Sequence, residues 1–483
     1  MNQPKMSKYR WTICSMLFFA TTINYLDRQV LSLTWKDYLV PEFHWTDSDY
    51  GTITALFSIF YAASMLLAGR FVDWMDTKKG FLWAIGIWSV GACLHAYCGV
   101  ATSGLLTGNW LVSFSGAKES LSTVSNVGMI LSTSVTLFIF ARFVLALGEA
   151  GNFPAAIKAT AEYFPKKDRA LATSIFNAGA TVGALAAPIS IPFIAKAYGW
   201  EMAFIIIGAL GFIWMGFWIF IYKKPELHPN VNQAELDYIQ QDVALETSGD
   251  DDQSTKGQVI KLSFADCFKY KQTWAFAFGK FMTDGVWWFF LFWFPAYLKD
   301  IYKMSSTESA LPLFVLYMIT LLSIIGGWLP TYFVEKKGLN PYEGRMKAML
   351  IFAFFPLLAL LAQPLGHISY WFPVIIIGIA GAAHQSWSAN IFSTVGDMFP
   401  KQAIATVIGI GGMAGGMGSF IINKGSGVLF THADDTKMVF MGFEGKEAGY
   451  FIVFSICAVC YLIGWFVMKS LVPKYKLIIP KNA

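Results

Sequence analysis

The sequence predicts an all-α membrane protein, with twelve transmembrane helices in two pseudo-symmetric six-helix bundles. Composition is the first reason. Of 483 residues, 55% are hydrophobic, 14% are charged and 17% are Phe, Trp or Tyr, more apolar surface than a soluble domain can bury. The second reason is that apolar runs of spanning length recur twelve times, where a hydrocarbon core about 30 Å thick takes about 20 helical residues per crossing. The third is an internal echo. Glu162-Tyr163-Phe164-Pro165-Lys166, followed by Ala172-Thr173, Gly179 and Gly183, returns as Asp397-Met398-Phe399-Pro400-Lys401, followed by Ala405-Thr406, Gly412 and Gly416. Both copies fall between the fourth and fifth runs of their half, as a duplicated six-helix unit requires.

The runs lie at 11–33, 50–70, 80–100, 129–160, 169–194 and 200–222, then at 273–297, 307–333, 346–363, 369–396, 404–430 and 449–471. The first follows Lys5, Lys8 and Arg10 but lacks a small-residue cleavage site and contains Asp27-Arg28, so it reads as a retained helix. A polar segment with Gly249-Asp250-Asp251-Asp252 divides the runs six and six. The expected units are therefore a bundle over 1–222, a partly disordered cytoplasmic linker over 223–272 and a second bundle over 273–483. Two long loops, 101–128 and 431–448, read as exposed elaborations. Glycines four apart, Gly179 with Gly183, Gly411 with Gly415 and Gly412 with Gly416, suit close helix contacts at a rocking interface.

Lys and Arg gather on the segments that share a side with the two termini, which places both termini in the cytoplasm. The net charge of +5 is explained by that topology and implies no nucleic acid. The six cysteines are scattered and pack as small apolar residues, the Cys457-x-x-Cys460 pair included. No His/Cys spacing suits a metal and no acyl-transfer motif is present, so the sequence predicts no enzyme, no cofactor and no catalytic residue. The lipid bilayer is the one extended partner, around a monomer.

Six ionisable residues interrupt the apolar runs: Asp27 and Arg28 in the first, Arg142 and Glu149 in the fourth, Lys280 and Asp284 in the seventh. Charge at the bilayer centre costs from about 2.5 to above about 10 kcal/mol, so such residues mark a substrate, ion or proton path. Arg142 and Glu149, seven apart, share a helix face but stand about 10 Å apart along it, too far to pair. Asp27 and Arg28 fall at a depth similar to Arg142. Lys280 and Asp284, at i and i+4, can pair within one helix.

Two readings are open: salt bridges that lock helices together, or a site for cargo. Under the second, three cations and three carboxylates make an empty site neutral. An anionic substrate leaves it at minus one, which one proton on Asp27 or Glu149 cancels. Anion and proton then enter together. Side chains near these charges suit a hydroxylated ligand: Asn24, Tyr25, Tyr61 and Asn177, with His384, Gln385, Ser386, Trp387 and Asn390 on the tenth run. Trp287, Trp288 and Trp293 read equally well as packing aromatics, and His384 as a hydrogen-bonded core histidine.

Gly69-Arg70-Phe71-Val72-Asp73, followed by Lys78-Lys79, resembles the signature inner loop of the major facilitator superfamily, although Trp74, Asp76 and Thr77 depart from it. Asn24-Tyr25-Leu26-Asp27-Arg28, with Arg142-Phe143 and the run from Leu147 to Ala156, resembles the anion:cation symporter branch. Gly279-Lys280-Phe281-Met282-Thr283-Asp284, then Trp287-Trp288-Phe289, resembles the seventh helix of bacterial hexuronate transporters. The resemblance implies proton-driven uptake of glucuronate or galacturonate, a small anionic sugar acid, and, being to bacterial transporters, it makes the inner membrane the expected location. It makes Asp27 and Glu149 the protonatable groups and Arg142 their coupler. Tyr25, Arg28, Tyr61 and Trp387 become substrate contacts, with Lys280 as a second clamp, Asn24, Asn177, His384 and Ser386 beside them, and Asp73 and Asp284 in gating. An aldonate, glucarate or organic phosphate cargo, sodium coupling, antiport and a non-transporting receptor are the alternatives.

Overall fold

The structure, a computed structural model, describes residues 6–248, 264–399 and 401–478. The stretch Gly249-Asp250-Asp251-Asp252, Pro400 and the side chains of Asp73, Lys166, Lys401 and Ala405 lie outside the described residues.

All twelve runs are helical. They are Tyr9–Thr34, Asp47–Met75, Thr77–Thr107, Val127–Glu149 with Asn152–Tyr163, Lys166–Tyr198 and Trp200–Ile221 in the first half. In the second half they are Lys271–Tyr302, Ala310–Thr320 with Ile325–Lys337, Pro341–Phe354 with Ala362–Gly366, Trp371–Met398, Lys401–Asp435 and Lys446–Leu471. Among the described residues, nine are long and apolar enough to cross a membrane on length and composition alone. The other three, the first, seventh and tenth, carry Asp27 and Arg28, Lys280 and Asp284, and His384 to Asn390. Polar residues that lower their hydropathy are tolerable because neighbouring helices, not lipid, surround them.

Local chemistry sets several boundaries. Thr46 and Asp49 form a reciprocal capping box that starts the second helix. Asn340 caps the ninth, which has Pro341 in its first turn. Gly199, at φ +94°, ends the fifth helix and turns directly into the sixth. The expected single fourth helix is broken at Ala150-Gly151, and the ninth passes through a tighter 3-10 stretch, Phe355–Leu361, where Pro356 supplies no N–H.

The long loops are more ordered than free elaborations. In the first, Ser113 caps a helix, Phe114–Ser122, that buries Ala117 and Leu121. The second carries a two-stranded hairpin, Val439–Phe440 with Phe443–Glu444. Part of the linker is helical, over Gln233–Ser248. There Glu235 accepts hydrogen bonds from the Ser7 hydroxyl (2.6 Å) and the Tyr9 and Arg10 amides, and pairs with Arg10 at 3.0 Å.

Within the first half, the first helix packs on the fifth and sixth, and the third on the fourth and sixth; the seventh packs on the eleventh and twelfth in the second half. The halves meet through the second helix against the eleventh, the first against the seventh, and the fifth against the Ala310–Thr320 segment of the eighth. The glycine expectation is corrected here. A Cβ on Gly179 or Gly183 would strike the backbone of Phe18 or Thr22 in the first helix, so this pair seals a seam inside one bundle. Gly411, Gly415 and Gly418 do the same against the seventh helix. Of the expected glycines Gly416 does face the other half, against Ala62 and Ser58, and Gly427 joins it there against Asp47 and Gly51. Glycine spacing identifies a close approach but not the helix that makes it.

Candidate functional site

The first helix carries Asp27 and Arg28 side by side, so their side chains leave it in different directions. Arg28 reaches the fourth helix, where its Nε and Nη2 donate to Glu149 Oε2 at 3.0 and 2.7 Å, with both residues buried. The break at Ala150-Gly151 ends the helix just after Glu149. The guanidinium lies in an aromatic cage: Tyr61 at 4.7 Å, Tyr25 at 5.0 Å, Trp288 at 5.1 Å and Phe57 at 5.9 Å. Phe57 also faces Arg142 at 5.1 Å, so one ring stands between the two guanidiniums. Trp288 comes from the second half, which puts Arg28 at the midline between bundles.

Arg142 and Glu149 do not pair with each other; Glu149 is held by Arg28 across helices. Its other oxygen, Oε1, has no hydrogen-bond partner, nor do Arg142 Nε and Nη1. Asp27 is buried with both carboxylate oxygens unpartnered, within electrostatic range of Glu149 and Arg142. The side-chain amides of Asn24 and Asn152 are likewise buried and unpartnered. A buried polar atom left without a hydrogen bond costs about 1–3 kcal/mol, and this concentration makes the cluster the candidate site.

In the second half, Lys280 pairs with Asp284 at 2.7 Å, as the i, i+4 spacing allows. The ammonium also lies 4.3 Å from the Phe392 ring. Trp288 continues the same helix face one turn beyond Asp284. Trp287 stacks on His384 at 5.3 Å, and His384 Nδ1 is hydrogen-bonded with the Tyr461 hydroxyl at 2.7 Å. Ser386 and Asn390 are tied to the eighth helix, Ser386 Oγ to Ser323 O and Asn390 Nδ2 to Gly326 O. Trp387 is buried with its indole N–H unpartnered. Asn177 is exposed on the fifth helix, apart from these clusters.

A second constellation lies at the face farthest from the termini. Lys36 pairs with Asp47 (2.6 Å) and Asp300 (2.9 Å), Lys446 with Asp47 (2.6 Å), and Lys299 with Asp37 (2.7 Å). Ser306 adds amide and hydroxyl hydrogen bonds to Asp37. Burial raises the Asp37 carboxyl, but Lys299 and Ser306 outweigh it and hold the group below its ordinary range. Lys36, Asp37 and Asp47 belong to the first half and Lys299, Asp300, Ser306 and Lys446 to the second, so this latch closes the bundle at the distal face. Among the described residues the ion pairs of the opposite face do not join the two bundles: Arg10–Glu235 and Lys224–Asp76 tie the first bundle to the linker, Lys269–Asp266 lies within the linker and Arg345–Asp397 within the second bundle.

Sequence reasoning missed the latch, because its residues sit at helix ends where charges are ordinary. It also missed Phe57, and it left Trp288 undecided; the spacing of Lys280, Asp284 and Trp288 at i, i+4 and i+8 was the available signal.

Two bundles around a midline charged site, shut at one face by cross-bundle ion pairs, define a multi-pass membrane transporter rather than an enzyme. Residues 17–422 match the Major Facilitator Superfamily, and the chain belongs to it. It is 26% identical over 475 residues to the "Hexuronate transporter" of Escherichia coli (strain K12), covering 96% of this chain and 95% of that one. It is 24% identical over 464 residues to the "Probable galactarate/D-glucarate transporter GarP" of the same strain, covering 94% of each. Among solved structures, a bacterial homolog of the human lysosomal transporter Spinster, inward-facing and unoccupied, superposes with a TM-score of 0.67 at 17% identity, covering 98% of both chains.

Proposed function

We propose that the chain is a proton-coupled symporter that carries a hexuronate such as glucuronate or galacturonate into the cytoplasm by alternating access. It works as a monomer in the inner membrane, with both termini cytoplasmic, and its units are the bundles 1–222 and 273–483 joined by the linker 223–272. The distal latch then faces outward, and the arrangement described is closed on that side.

The observation that carries this reading is the Arg28–Glu149 pair beside unpartnered Asp27. A substrate carboxylate that takes over Arg28 Nε and Nη2, the two donors that hold Glu149, displaces Glu149. A displaced, buried carboxylate needs a proton, because an uncompensated charge there is far costlier than in water. Substrate binding and protonation of Glu149 thus become one event, with Asp27 and Arg142 adjusting the local charge. Tyr25, Tyr61, Asn24 and Trp387 offer polar and aromatic contacts to the sugar, and Lys280, His384 and Ser386 are assigned to the second-half side of the site; Asn177, apart from these clusters, is left without a substrate contact. Asp73 and Asp284 are assigned to gating. The E. coli hexuronate transporter, similar over nearly the whole chain, supports the choice of cargo. The galactarate/D-glucarate relative supports a second reading, an aldarate.

The test is Glu149→Gln in proteoliposomes. Accumulation of glucuronate driven by a proton gradient is expected to vanish, while exchange of labelled for unlabelled glucuronate persists. Equal accumulation by the variant and the wild type rejects the role.

A further inference from the structure

Two of the three midline cations, Arg28 and Lys280, each have a carboxylate, and the two pairs are built differently. Arg28 is neutralised from another helix by Glu149, which a substrate can displace by giving it a proton. Lys280 is neutralised from its own helix by Asp284, one turn away at 2.7 Å. That pair is also fixed from behind. A Cβ on Gly415 would overlap Asp284 Oδ2, so only glycine at this position of the eleventh helix lets the carboxylate rest where it meets Lys280. The Phe392 ring covers the ammonium at 4.3 Å. The pair nonetheless belongs to the site: Trp288, one turn beyond Asp284 on the same helix, lies 5.1 Å from the Arg28 guanidinium.

From this we propose that Asp284 is a charge filter, which by occupying Lys280 restricts the site to sugar acids with one carboxylate and excludes those with two. The inference rests on the sugar-acid reading above and narrows it. Uronates are monoanions at neutral pH, whereas aldarates are dianions, since both carboxyls ionise near about pH 4. With all six groups counted as ionised, Asp27, Glu149 and Asp284 against Arg28, Arg142 and Lys280, the empty site sums to zero. A monoanion and one proton restore zero; a dianion and one proton leave minus one, in a place where water cannot screen it. Without the Asp284 charge, a dianion and one proton sum to zero, and the freed Lys280 supplies a cation for the second carboxylate.

The experiment compares uptake of glucuronate and glucarate in proteoliposomes holding wild type, Asp284→Asn, and Asp284→Asn combined with Lys280→Gln. Wild type is expected to take up glucuronate and exclude glucarate. Asp284→Asn is expected to raise the glucarate-to-glucuronate uptake ratio at least about tenfold, a 1.4 kcal/mol change in relative affinity. The double variant removes the freed cation and is expected to lose that gain. An unchanged ratio in Asp284→Asn overturns the filter, as does a gain that survives in the double variant. Should Asp284→Asn fail to reach the membrane, the wild type decides alone with glucarate monolactone, a monoanion on the same carbon skeleton. Uptake of the lactone with exclusion of glucarate supports the filter; equal uptake of both overturns it. Wild type that transports neither glucuronate nor glucarate refutes the sugar-acid reading itself, a result distinct from failure of the filter.

Discussion

Asp47→Asn probes the distal latch most directly. Asp47 lies buried between two ammonium groups, Lys36 Nζ at 2.6 Å from Oδ1 and Lys446 Nζ at 2.6 Å from Oδ2. Lys36 is in the same half and remains beside Asp47 when the halves separate. Lys446 is in the other half, so its pair with Asp47 exists only while the distal face is closed. Removing one partner of a buried ion pair costs about 3–5 kcal/mol. Lys446 keeps weaker contacts at 3.7 Å to Asp300 and 3.6 Å to Asp434, which offset part of that loss. We take about 2 kcal/mol as the net penalty on the closed state, about a 30-fold shift toward opening. Spin labels on cysteines replacing the exposed residues Glu119 and Asp435, one in each half, report the change. The wild type is expected to give one short distance, and Asp47→Asn a second, longer population. A distance distribution unaltered by the substitution would show that the latch does not set the conformational balance.

Two other perturbations have defined outcomes. Glu42, buried on the distal face between Trp200 and Glu201, has its carboxyl pushed up to about 7, chiefly by burial, with Glu201 adding and the Trp200 indole N–H and Lys118 opposing. Folding therefore favours the protonated form. That stability is fully present below the ordinary value of 4.5 and is lost as pH rises through about 7, about 3 kcal/mol over the window. Glu42→Gln is expected to raise the melting temperature at pH 8 and to leave it nearly unchanged at pH 4, as read by thermal denaturation in detergent. Gly427→Ala places a Cβ 2.5 Å from Asp47 O and 3.0 Å from the Gly51 Cα, at a close contact of the second and eleventh helices. Overpacking of this kind costs about 1–3 kcal/mol, borne only by the distally closed state. The same spin-label pair is expected to report opening in this variant, with all latch charges intact; an unchanged distance would mean that the helices separate without cost at that crossing.

Much of the architecture was legible along the chain. Hydropathy alone located twelve helices, and the Glu162 and Asp397 repeats divided them six and six, because a bilayer demands long apolar segments and a duplication preserves motif order. Asp27, Arg28, Arg142, Glu149, Lys280 and Asp284 stood out for the same reason: charge in an apolar run is expensive enough to be conspicuous. Lys280–Asp284 was also readable, since an i, i+4 pair needs only one helix.

Which charge meets which across helices was not. The Arg28–Glu149 pair joins residues 121 apart, and the ring of Phe57 between two guanidiniums depends on how the second helix is rotated. The latch joins Asp47 to Lys446 and Asp37 to Lys299, ordinary charges at helix ends until the two halves are brought together. A sequence prices each residue against its immediate surroundings, so it exposes what is anomalous locally. Partners from distant segments are chosen by the packing of helices, and that packing assigned Gly179 and Gly183 to an internal seam while giving Gly416 and Gly427 the interface between the halves.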